Sequence, residues 1–84
     1  MTVSAKGWNQ TVSCDGSLVR VGGHTFRVDR IKVVTFRSAG WFQHGELMFT
    51  VDGIEGFPTV LFKREQEFDV AQVHAAVEAA MAGD

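Results

Sequence analysis

The sequence predicts a single, mostly β domain of the α+β class: bent antiparallel sheets finished by one C-terminal helix. Three observations predict it. Apolar residues alternate with period 2 through the first two thirds of the chain. Gly-containing pairs punctuate that alternation at short intervals. Near Asp69 the apolar spacing switches to the helical period. The chain has 84 residues, enough for one domain and no more.

The elements follow in order. Thr11-Val12-Ser13-Cys14 reads as a strand with Val12 and Cys14 inward, and Asp15-Gly16 signals a tight hairpin. Leu18 to Val21 is the return strand, and Gly22-Gly23 a second turn. Alternation resumes at Thr25-Phe26-Arg27-Val28. Val28, Ile31 and Val34 then recur every third residue, which marks a 3₁₀ turn or a bulge. Val34 to Arg37 is extended, with Val34 and Phe36 inward. Gly40 to Gly45 forms a loop, and Leu47, Phe49 and Val51 line one face of the clearest strand. Asp52-Gly53 marks another turn, and Val60-Leu61-Phe62 is the last strand.

Asp69 suits a helix N-cap, with Gln72 placed for a capping box and Phe68 for a staple on Val73. Val70, Val73, Val77, Ala80 and Met81 form one apolar stripe, and Gly83 is a natural stop. The spacing therefore predicts a helix over 69–82. Such a helix must bury its stripe, and the open end or seam of a bent sheet is the place for it. Residues 1–6 carry no comparable signal and are expected to be a flexible N-terminus.

Composition is that of a folded chain, with 45% hydrophobic and 21% charged residues. A net charge of −2 gives no general attraction for nucleic acid or an anionic membrane, and neither partner is expected. The charge is unevenly spread. Arg20, Arg27, Arg30, Lys32 and Arg37 against Asp29 make the stretch 20–37 basic by +4. Lys63 and Arg64 against Glu46, Asp52, Glu55, Glu65, Glu67, Asp69, Glu78 and Asp84 make 38–84 acidic by −6. With Cys14 the only cysteine, no intrachain disulfide can form. The absence of an apolar leader or a long apolar run makes the cytoplasm the expected location.

Chemistry-bearing patterns are sparse. His24, His44 and His74 match no zinc spacing, Gly22-Gly23 lacks the Lys-Ser/Thr of a phosphate loop, and the serines have no nucleophile-elbow context. Cys14 shares its face with Val12 and is expected to behave as a small buried hydrophobe. Neither a cofactor nor a catalytic residue is expected.

The chain resembles the short actinobacterial proteins, found also in phages of those bacteria, that carry a pleckstrin-homology-like (PH-like) domain of unknown function. The resemblance rests on Lys6-Gly7, Thr11 to Gly16, Ile31 to Val34, Phe36 to Gly40, Gly45 to Phe49, Val60 to Lys63, Phe68 and Val77-Glu78, in that order. It implies two bent antiparallel sheets, partly open as a barrel, closed at one end by the C-terminal helix, and no catalytic residues. Two departures stand out: Cys14 where the family usually has a large apolar residue, and a short stretch between Val21 and Phe26.

Two features point to function. Trp41, Phe42 and His44 lie in the loop between Gly40 and Gly45, where a Trp is a typical interface anchor; the alternative is that one ring folds back to plug the end of the barrel. Arg27, Arg30, Lys32 and Arg37 form the basic stretch, which reads either as the solvated outward faces of strands or as a candidate patch for an anion or an acidic partner. The expected function is a non-catalytic interaction module working by protein–protein contact or self-association, with head-to-tail contact between the oppositely charged halves as one route. The alternative is a phosphate or lipid-headgroup module using the Arg cluster.

Overall fold

The computed structural model describes residues 2–83; Met1 and Asp84 lie outside the described residues. Four strands form the first sheet: β1 (Val3–Lys6), β2 (Thr11–Cys14), β3 (Leu18–Val21) and β4 (His24–Arg27). Three form the second: β5 (Ile31–Arg37), β6 (Gly45–Val51) and β7 (Thr59–Phe62). Both are antiparallel meanders in sequence order, and they do not close into a barrel. A 3₁₀ turn at Val28–Arg30 joins the sheets, and a second at Arg64–Gln66 leads into α1 (Glu67–Met81).

The period-3 spacing of Val28, Ile31 and Val34 produces both features that it allows. The chain makes a 3₁₀ turn at Val28–Arg30, and the β5–β6 register then slips between Ile31 and Val33. Together they redirect the chain from one sheet to the other while keeping Val28 and Ile31 buried. The core is apolar throughout. Val12, Cys14, Val19, Val21 and Phe26 face Leu47, Phe49, Val51, Val60 and Phe62, and Val70, Val73 and Val77 of α1 cover the open side. The rings of Phe26 and Phe49 meet edge-on at 5.4 Å and tie the sheets together.

Several expectations shift. Residues 3–6 are a paired strand rather than a flexible N-terminus: Val3 lies opposite Cys14 and Lys6 opposite Thr11. Ala5 is buried, and α1 packs chiefly on β1. A small inward residue lets the helix approach closely, but a lone alanine between Ser4 and Lys6 carries little strand signal. The helix begins at Glu67, two residues before Asp69, because the 3₁₀ turn feeds directly into it. Gln66 Oε1 accepts the Lys63 N–H at 2.9 Å and holds that turn. Asp69 lies inside the first turn, not at the cap, and Phe68 points to solvent instead of packing as a staple. The expected C-terminal stop holds, with the Gly83 N–H donating to Ala80 O at 3.2 Å.

The free edge of β7 is covered from an unexpected quarter. The β1–β2 loop lies along it: the Trp8 N–H donates to Leu61 O at 2.9 Å, and the Leu61 N–H donates to Asn9 Oδ1 at 2.9 Å. The side-chain amides of Asn9 and Gln10 both donate to Thr59 O. These bonds join the first sheet to the second along a seam that strand pairing leaves open.

Candidate functional site

The β5–β6 loop, residues 38–44, is pinned at three points. Its turn closes through a Gly40 N–H bond to Gln43 O at 3.0 Å. The Ala39 N–H donates to Glu67 Oε1 at 2.7 Å, fixing the loop to the start of α1. The guanidinium of Arg64 sits over the Trp41 ring, 4.1 Å from its centroid, a cation–π contact that also orients the indole. These three contacts fix the loop to itself, to the start of α1 and to the turn before it.

What it presents is aromatic. Trp41 is 83% exposed and Phe42 fully exposed at 101%. Trp8, held by the seam, is 47% exposed, and its ring lies 5.0 Å from that of His44 at a 52° tilt. Phe68, next to the loop's anchor Glu67, is 74% exposed. Lys63, Arg64 and Glu65 border the shallow hollow behind the loop. Of the expected trio, Trp41 and Phe42 project and His44 links them to Trp8. Sequence reading missed Trp8. Its only signal was a second Trp in a Gly-Trp-Asn loop, and nothing local says that this loop lies beside one more than thirty residues later.

Gly45 does more than bracket the loop. It is the buried first residue of β6 and pairs with Phe62, and a Cβ there would overlap the Phe62 ring. The glycine lets β6 start directly beneath that ring, which brings residue 44 up against Trp8.

The four basic residues do not all gather in one place. Arg27 pairs with Asp29 at 3.0 Å, Lys32 with Asp52 at 3.9 Å and Arg37 with Glu46 at 3.7 Å. Lys32 and Arg37 stand near opposite ends of β5, on the order of 16 Å apart along a strand. Arg30 lies in the 3₁₀ turn between the sheets. Two of these pairs, Lys32–Asp52 and Arg37–Glu46, join the basic stretch to the acidic one, so part of the separation of charge along the sequence is cancelled in space.

His74 stacks on Phe36 at 5.1 Å and bonds Glu78 at 3.1 Å, so it belongs to the helix–sheet packing. Among the described residues, no three His, Cys, Asp or Glu side chains gather as a metal-binding group, and no helix is long and apolar enough to cross a membrane. No family model matches this chain, nor does any curated protein or solved structure.

Proposed function

We propose that this chain is a non-catalytic, PH-like interaction module of the cytoplasm that works by protein–protein contact through Trp41, Phe42 and His44. One observation carries the reading: two large aromatic side chains are held exposed on a loop that its own hydrogen bonds and a cation–π contact have already ordered. Exposed apolar patches of this kind mark interaction sites. A pre-ordered anchor loses little conformational freedom on binding. The order of four strands, three strands and one terminal helix supports the PH-like part of the proposal. The paired and scattered basic residues favour protein contact over a phosphate or headgroup ligand.

The test is Trp41→Ala, compared with wild type for melting temperature and for association, with its own kind or with a partner. The expected variant melts like wild type and loses association. Reduced stability with unchanged association would make Trp41 a structural residue and end the reading.

A further inference from the structure

Resting on that reading, we propose that the occupant of the aromatic end is a second copy of this chain, docked about a two-fold axis. Surface area is the first argument. At their observed exposures Trp8, Trp41 and Phe42 leave on the order of 450 Å² of aromatic surface at this end, taking about 200 Å² for a whole aromatic side chain. Phe68, on the adjoining helical turn, adds about 150 Å². A stable interface takes about 800 Å² from each partner. His44, Lys63 and Glu65 lie around the rings and supply the remainder.

Charge is the second argument. Arg37 is paired with Glu46. Lys63 and Arg64 then stand against Glu65 and Glu67 around the rim of the hollow, two charges of each sign. An anionic surface would demand an excess of cations, which this rim lacks. A surface that docks on itself needs both signs, because a two-fold contact sets residue i against j and j against i. In the pair, Phe42 and Trp41 of each copy cover the rings of the other, and Lys63 of each faces Glu65 of the other.

The experiment is sedimentation of the whole chain across the micromolar range, with four samples beside wild type. Wild type is expected to be a monomer–dimer mixture with a Kd on the order of micromolar. Phe42→Ser, at a fully exposed position, should keep its melting temperature and weaken pairing by about tenfold or more. Lys63→Glu and Glu65→Lys should each weaken pairing, since each sets like charges face to face twice. An equimolar mixture of those two variants should recover it, because both contacts in the mixed dimer are again opposite in sign. A mixture no tighter than its components overturns the two-fold pairing. Wild type that stays monomeric, yet binds a different purified protein in a Phe42-dependent way, overturns self-pairing and leaves the interaction-module reading standing. Association untouched by Phe42→Ser overturns both.

Discussion

Single residues carry specific tasks in this fold. Asp15 clips the β2–β3 turn: its Oδ1 accepts the N–H groups of Leu18 and Ser17, both at 2.8 Å. Gly16 takes the positive φ of 98° that lets the chain reverse there. The hydrogen bond from Leu18, then that from Ser17, holds the Asp15 carboxyl below its ordinary value of 3.8. A carboxyl lowered by folding contributes stability that is present above its unfolded pKa and lost as pH falls through the folded one. The turn should therefore loosen only below about pH 4, and Asp15→Ala should remove that part of the acid response. An NMR titration of Asp15 with a midpoint at or above 3.8 would contradict this. Gly45 offers a second test. Gly45→Ala must displace a fully buried Phe62 and is expected to cost about 1–3 kcal/mol, read as a lowered denaturation midpoint. An alanine variant as stable as wild type would show that the Phe62 ring can give way at no cost.

At the scale of elements, α1 is the cover on which the core depends. Val70, Val73 and Val77 are completely buried, and each contributes roughly 1.5–3 kcal/mol. A domain of this size has only a few kcal/mol in hand. Val77→Asp places a charge against β1 and the core, and is expected to unfold or aggregate the protein. Wild-type melting of that variant would mean that the helix can leave without consequence. The amphipathic stripe made this element legible in the sequence, but not its start. Glu67 reads locally as an acid before a helix, whereas in the fold it is the first helical residue and the anchor of the Ala39 loop.

For the molecule as a whole, the open question in a two-sheet fold is what closes the edges. On one side α1 packs on β1, β2 and β5; on the other, Trp8, Asn9 and Gln10 satisfy the outward backbone groups of Thr59 and Leu61. Asn9→Ala removes the acceptor for the Leu61 N–H. It should cost about 1 kcal/mol and speed hydrogen exchange at Leu61, with Val60 and Phe62 little changed. Equal acceleration along the whole of β7 would show global loosening rather than loss of one seam bond. The seam also shapes the aromatic end, since it sets Trp8 beside His44.

Period and punctuation by themselves determined the class of this protein, six of its seven strands, the helix with its buried stripe and the core that these elements share. Those signals are local: alternation sets which side chain faces inward, and helical spacing sets which face must be covered. Trp41 and Phe42 were legible as large apolar residues in a loop, but that neither ring folds back to plug the end of the sheets was decided by the structure. Only the tertiary structure decided that Val3–Lys6 is a strand, since its order comes from pairing with β2 and from the helix packed on Ala5. It alone placed Trp8 beside His44 and matched Lys32 with Asp52 and Arg37 with Glu46. Each of these joins residues from different strands or loops. No repeat along the chain encodes that nearness; it comes from how the sheets bend and where the helix closes them.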